Sequence, residues 1–329
     1  MPYVTTDPNQ WGEYVAVGFL KLPNDVFQAD STATAPLPPS PAQPMHFPGY
    51  GSHPWWDPNA KRWLPVAPSA AAPDGQTYVY SSGDGLHLVV ISPTADRLLY
   101  RHPAGVEGAQ VLAYLAAGVY FDVPTAIKTG AGGSYSNPVN QVGVWRVDAT
   151  SGAATRILPT DIAGSLLGGA LWSVKALNAG ETLVRTDLSS GQQTEWFTDP
   201  GRGMQFLGVD HSGFPVVWTF ANGHLQIWHV TSPNKAVSFD ALDYAGNAPI
   251  YPPEITEGPL IGDDNGVWFG ATDGLYLYDA TGFRKVAATP GFPAGPCTGR
   301  ISRGARRPFD GHMSGQLNTA HEDPPHIRV

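Results

Sequence analysis

The sequence predicts an all-β fold assembled from a repeated unit, and three observations carry that expectation. Short runs of β-branched and aromatic residues recur through most of the 329 residues, each closed by Gly, Asp, Asn or Pro. The runs resemble one another: VWRVDATSG, LVRTDLSSG, LQIWHVTSP and LYLYDATG return at a spacing of about 40 to 55 residues, the mark of a repeat array. Finally, 38 glycines and 32 prolines beside 14% charged residues suit a chain of many tight reversals. Four short strands in about 30 residues make one blade of a β-propeller. Six four-stranded blades are counted, with seven as the alternative, in a single domain. One blade alone would leave an apolar face and an unpaired edge, and closure of the propeller removes most of that liability.

In chain order, residues 1–10 read as an N-terminal extension and 11–291 as the propeller. A hairpin of 14–20 and 25–28 is followed by a Pro-, Ala- and Ser-rich excursion at 30–54, which cannot form a regular ladder because Pro lacks the amide hydrogen. The pattern resumes at 55–66, and these pieces together are expected to make the first blade. Strand runs at 77–81, 86–91 and 97–100 give the second. The third has runs at 111–114, 119–123, 143–148 and 154–158, with an insertion at 124–140. The fourth spans 165–197 and the fifth 204–239. A connector at 240–257 leads to the sixth, at 259–286, whose GDDNGVWFGATDGLYLYDATGFRKV is the most regular stretch of the chain. Closure requires the ends to meet, so 14–20 is expected to complete or abut the last repeat. Residues 292–329 lose all periodicity, bring Arg300, Arg303, Arg306 and Arg307 together, and read as a disordered tail.

The repeat also sorts the polar residues. Asp148, Asp187 and Asp279 begin equivalent turns, and Asp210-His211 and Asp263-Asp264 occupy the turn between first and second strands. Asp fills such reversals by bonding its own backbone, so these residues read as turn formers rather than as acid–base pairs. Trp145, Trp172, Trp218 and Trp268 recur within second and third strands and read as packing between blades, with an aromatic sugar platform as the sharper alternative.

In a propeller, turns between second and third strands share one face with the blade-to-blade connections. That face holds the unequal segments 124–140 and 240–257, and long loops on a rigid scaffold are where binding develops. The candidate ligand contacts are His102, Tyr135, Asn137, Tyr244 and Tyr251, with Trp55 and Trp56 from the segment after the Pro-rich excursion. The plainer reading is that these loops only cap the central channel.

No cofactor or metal is expected, because phosphate-loop, dinucleotide, H-E-x-x-H, G-x-S-x-G and calcium-loop patterns are all missing. A formal net charge of -9 argues against nucleic acid as a partner. No apolar run reaches the roughly 18 to 20 residues of a membrane span. Cys297 is the single cysteine and has no internal partner for a disulfide. The expectation is a monomer that is cytoplasmic as written, since no basic start with an apolar core follows Met1. With a leader missing upstream, its composition suits an extracytoplasmic bacterial protein.

Residues 264–279, DNGVWFGATDGLYLYD, resemble the propeller repeat of hybrid two-component sensors, and 266–269 resemble the repeat of streptogramin B lyase. Both are bacterial β-propeller families. As a whole, residues 11–297 resemble secreted or anchored bacterial propellers with a Trp-rich first blade and a Pro-Ala-Gly-x-Cys ending, here 293–297. The resemblance implies the fold. The lyase uses a histidine in ring-opening elimination, but neither His102, His211 nor His229 matches that position residue by residue, so no catalytic residue is assigned. Two functions follow as expectations: a non-enzymatic module binding a peptide, glycan or protein, or alternatively a propeller lyase or hydrolase acting on a glycan or cyclic depsipeptide.

Overall fold

The computed structural model describes residues 1–6, 14–33, 54–128, 134–160, 164–177, 180–199, 203–210, 212–221, 224–240, 261–271, 274–279 and 282–297. Its strands form six blades arranged as a β-propeller, each with four positions from the inner edge outward. From the inner strand outward, blade 3 runs Gln110–Leu115, Gly118–Val123, Gly143–Val147 and Ala154–Leu158. Blade 4 runs Gly164–Leu167, Ala170–Leu177, Gly180–Thr186 and Gln193–Asp199. Blade 5 runs Gln205–Val209, Pro215–Ala221, His224–Ser232 and Lys235–Asp240. Blade 6 runs Ile261–Asp263, Gly266–Ala271, Gly274–Asp279 and Gly282–Ala287. In blade 2 the inner position is reduced to Ala71, bridged to Tyr78, ahead of Thr77–Ser82, Gly85–Ile91 and Thr94–Arg101.

Blade 1 departs from the expected assembly. Its inner strand is Gly291–Pro293 from the far end of the chain, paired with Pro2–Thr6, then Tyr14–Lys21 and Val26–Ala29. Residues 2–6, expected as an extension, therefore belong to the propeller, and residues 292 and 293, assigned to the tail, belong to its closing strand. Pro2 is tolerated because it opens its strand, where a missing ladder bond costs least. The run 14–20 does abut the last repeat: Leu20 and Tyr3 share an apolar cluster with Trp268, Leu275 and Leu277. Two glycines permit the close approach. A Cβ on Gly270 would lie 2.3 Å from Phe292 Cβ, and one on Gly291, at φ +141°, would lie 2.0 Å from Val4 O.

With the four places in blade 1 filled by the chain ends, the 55–66 segment is left out of it. Trp55–Asp57 and Arg62–Leu64 form a separate two-stranded hairpin instead. Trp63 packs with Val4, Phe292 and Ala294 of blade 1, whereas Leu64 and Val66 join the cluster of blades 2 and 3. The hairpin is thus a wedge between blades 1 and 2.

Side-chain alternation puts the core between blades. In Gly118–Val123 all six residues are buried, because Val119, Phe121 and Val123 pack toward blade 2 while Tyr120 packs toward blade 4. Comparable clusters join blades 4 to 5 around Trp172 and blades 5 to 6 around Val216 and Phe269. Trp172 and Trp268 are fully buried, and Trp145 and Trp218 pack half-buried against their clusters.

Candidate functional site

The blade 2 to blade 3 connection and the insertion of blade 3 meet on the long-loop face. Asn137 joins them: its Oδ1 accepts from Glu107 N at 2.8 Å, and its Nδ2 donates to Glu107 O at 3.0 Å and Pro124 O at 2.8 Å. The amide is 4% exposed and acts as a backbone mimic, holding two loops in one rim. The far end of the insertion is held as firmly. Trp145 Nε1 donates to Gln141 O at 2.8 Å, and the Arg156 guanidinium donates to the carbonyls of Val139, Val142 and Pro159.

His102 enters this rim from the outer strand of blade 2. Its backbone N–H donates to Asp84 O at 3.1 Å, which fixes it to the turn between second and third strands of the same blade. The side chain is 8% exposed, with Tyr100 at 5.8 Å and Phe121 at 5.9 Å between ring centroids. Among the described residues, neither Nδ1 nor Nε2 has a hydrogen-bond partner. Burial pushes its pKa down to about 4, against a smaller opposing pull from Asp84, so the imidazole is neutral at physiological pH. It holds one unused donor and one unused acceptor. Among the described residues, no carboxylate or hydroxyl bonds to it, as a proton relay would require.

Trp55 and Trp56, also singled out from the sequence, lie in the hairpin between blades 1 and 2. Trp55 is 1% exposed, and Trp56 packs edge-on against Phe19 at 5.0 Å and Trp63 at 5.5 Å. Trp56 N–H donates to Ala294 O, and Trp63 Nε1 donates to Asp30 Oδ2 at 2.9 Å, so this pair docks the hairpin wedge. Tyr135 lies in Ser134–Ser136, paired in register with Ile127. Tyr244 and Tyr251 lie outside the described residues. Among the described residues, His102 and Asn137 stand in one rim.

The turn aspartates behave as their spacing implies. Asp148 Oδ1 accepts from Thr150 N and Ser151 N, and Asp187 Oδ1 from Ser189 N and Ser190 N. Asp263 does more: Oδ1 accepts from Asn265 N, while Oδ2 accepts from Trp268 Nε1 at 2.8 Å and Cys297 N at 2.7 Å, tying blade 6 to the closing segment. On this short-turn face a cleft of about 300 Å³ opens between blades 2 and 3, lined by Asp74, Tyr114, Gly118 and Asp148. Its carboxylates are turned back onto their own backbones, Asp74 accepting from Gln76 N.

Two histidines escaped sequence reasoning. His229 occupies the third-strand position opposite Val216, where the sister blades place Tyr278, Val147 and Thr186. Its Nε2 lies 2.9 Å from Asp210 Oδ2, and the other oxygen of Asp210 caps its turn by accepting from Ser212 N and Phe214 N. Burial opposes ionisation of Asp210, but the His229 and backbone bonds prevail and hold its pKa below the usual range. His87 lies between Asp84 and Asp96 on blade 2. Both histidines interrupt apolar strand runs, and that interruption is the available sequence signal. Among the described residues, no three of His, Cys, Asp and Glu are grouped to hold a metal ion.

No protein-family profile matches the chain, and no curated protein is detectably similar to it in sequence. Among solved structures, similarity extends to an oligogalacturonate lyase in complex with manganese, at 14% identity and a TM-score of 0.40, over 66% of this chain and 63% of that one. The chain thus spans less than two thirds of that enzyme. A catalytically inactive virginiamycin B lyase from Staphylococcus aureus with quinupristin matches at 13% identity and a TM-score of 0.36, covering 76% of this chain and 87% of that one. The extracellular domain of the putative one component system BT4673 from B. thetaiotaomicron matches at 16% identity and a TM-score of 0.27, covering 72% and 37% respectively. At these identities the likeness concerns fold alone, and the fold is a six-bladed β-propeller.

Proposed function

We propose that the protein is a non-enzymatic binding module whose long-loop face holds a peptide, glycan or protein partner. The observation that carries this reading is His102, buried in an aromatic surround with both ring nitrogens unpartnered among the described residues. An unmade hydrogen bond at a buried polar atom costs about 1 to 3 kcal/mol, which a ligand group regains when the rim parts to admit it to those enclosed nitrogens. A neutral imidazole offering one donor and one acceptor suits a hydroxyl or amide, the groups that glycans and peptides present. In the same rim, Asn137 spends its amide on the backbone of Glu107 and Pro124, and no acid–base pair with His102 is assembled among the described residues. Glycan and peptide arrays probed with the intact protein test the reading. Capture of a ligand class, weakened at least about tenfold in His102→Phe, is the expected result. Unchanged capture by that variant would place the binding surface elsewhere.

The second reading, a propeller lyase or hydrolase, is favoured by one observation. Asp210 orients the His229 imidazole through Nε2, and Nδ1 makes no hydrogen bond among the described residues, as a general base requires. Conversion of any array member, abolished in His229→Gln and retained in His102→Phe, would favour this reading over the first.

A further inference from the structure

His87 sits in the middle strand of the blade 2 ladder, in register with Tyr80. Its Nδ1 lies 3.0 Å from Asp96 Oδ1 and its Nε2 3.0 Å from Asp84 Oδ1. Tyr80 stacks on the imidazole at 4.9 Å with 19° between planes, and its hydroxyl donates to Asp96 Oδ2 at 2.7 Å. Asp84 Oδ1 also accepts from the Ser82 hydroxyl. An ionised carboxylate can only accept, so both contacts are made together only by an imidazolium with two N–H donors. The ring is therefore a charged bridge between an outer strand and a turn. Asp84 comes from the turn, Asp96 from Thr94–Arg101 and Tyr80 from Thr77–Ser82. Among the described residues, these three are the titratable groups bonded to or stacked on it, and none is basic.

The bridge bears on the ligand face because the backbone carbonyl of Asp84 accepts the His102 N–H. We propose that His87 is a protonation-operated latch: charged, it holds the Asp84 turn and so fixes His102 in the long-loop face; neutral, it releases that turn. This regulation rests on the loop-face reading. On deprotonation one ring nitrogen faces a carboxylate lone pair with no proton between them, and one contact must open. Asp96 stays anchored to another strand by the Tyr80 hydroxyl, whereas the remaining bond of Asp84, from Ser82, lies within its own turn, so Asp84 is the partner released.

The direction follows from the charges. Burial disfavours the imidazolium, but the bonds to Asp84 and Asp96 outweigh it and raise the pKa above the ordinary 6.5. Asp84, bonded by Ser82 and His87, is drawn down to about 2 and is ionised throughout this window. The latch is thus fully closed below the ordinary histidine value, stays closed as pH rises toward the raised one, and opens above it.

The test is a heteronuclear NMR titration of the whole protein, following the His87 imidazole and the His102 backbone amide. The two are expected to titrate with one midpoint. The His102 step is expected to vanish in His87→Gln and to move to lower pH in Asp96→Asn, while amides of blade 4 such as Ser173 stay still. A His102 amide that is flat across the His87 midpoint, or that titrates unchanged in His87→Gln, overturns the latch. This readout needs no ligand, so a failed array search counts against the loop-face reading and leaves the latch to be decided by the titration. Where the arrays yield a ligand, its affinity for the wild-type protein falls above the His87 midpoint, and that fall is lost in His87→Gln.

Discussion

Replacing Asp263 by Ala probes closure of the propeller at one atom pair. The carboxylate is 8% exposed, and Oδ2 accepts from the indole of Trp268, itself 0% exposed, and from the amide of Cys297 just beyond the closing strand. Alanine leaves the Trp268 N–H buried with no acceptor, a penalty of about 1 to 3 kcal/mol. The Cys297 amide loses a charge-assisted bond worth about 1.5 to 3 kcal/mol, part of which water restores at this half-buried site. Relief from desolvating the carboxylate offsets some of the loss. The net expectation is about 3 kcal/mol, read as a lower urea midpoint at unchanged slope. Asp263→Asn keeps an acceptor and is expected to lose less than half as much. In a double-mutant cycle with Trp268→Phe, which removes the indole N–H, the coupling should reach about 1 kcal/mol or more. A loss below about 1 kcal/mol for Asp263→Ala, with additive behaviour in the cycle, would refute the claim that this carboxylate clasps the closure.

Other perturbations report on other parts of the molecule. Trp172→Ala empties the interface of blades 4 and 5, where the indole meets Trp196 at 4.8 Å and Phe206 at 6.2 Å, and is expected to cost about 3 to 5 kcal/mol in denaturant unfolding. Gly270→Val places a side chain against Phe292 and Gly291 O, and limited proteolysis should detect earlier release of the closing strand. Asn137→Ala removes three bonds at a buried site and is expected to cost about 2 to 4 kcal/mol while speeding hydrogen exchange at Glu107 N. Because the folded-state pKa of Asp210 is depressed, its contribution is present above the unfolded value and lost as pH falls through the folded one. The stability gap between wild type and His229→Gln should therefore persist above the unfolded carboxylate value and narrow as pH falls through the folded-state value of Asp210.

What could be read from the sequence was what is encoded within a few residues. The turn role of Asp148, Asp187 and Asp210 rests on bonds to amides two to four positions away, so residue type and spacing suffice. The packing role of Trp172 and Trp268 follows likewise from their place in a strand repeat. Closure was hidden because it joins Tyr3 to Pro293, and a three-residue strand of Gly, Phe and Pro has the composition of a turn. The 55–64 hairpin was recognisable as a hairpin, but its place between blades depends on the chain ends having already filled blade 1. In the candidate site, residue type alone could not reveal that the Asn137 amide faces backbone. His102 lies in a polar stretch, RHPAG, that gives no hint of a buried ring, and its seclusion comes from Phe121 in the next blade.

The central claim is that the long-loop face binds without transforming what it holds. Its most direct test is mass spectrometry of an array-selected ligand recovered after prolonged incubation with the intact protein at catalytic ratio. The account predicts a ligand of unchanged mass that competes for the His102 face. Contradiction would be a ligand cleaved, or eliminated to an unsaturated product, at a rate abolished by His102→Phe or by His229→Gln.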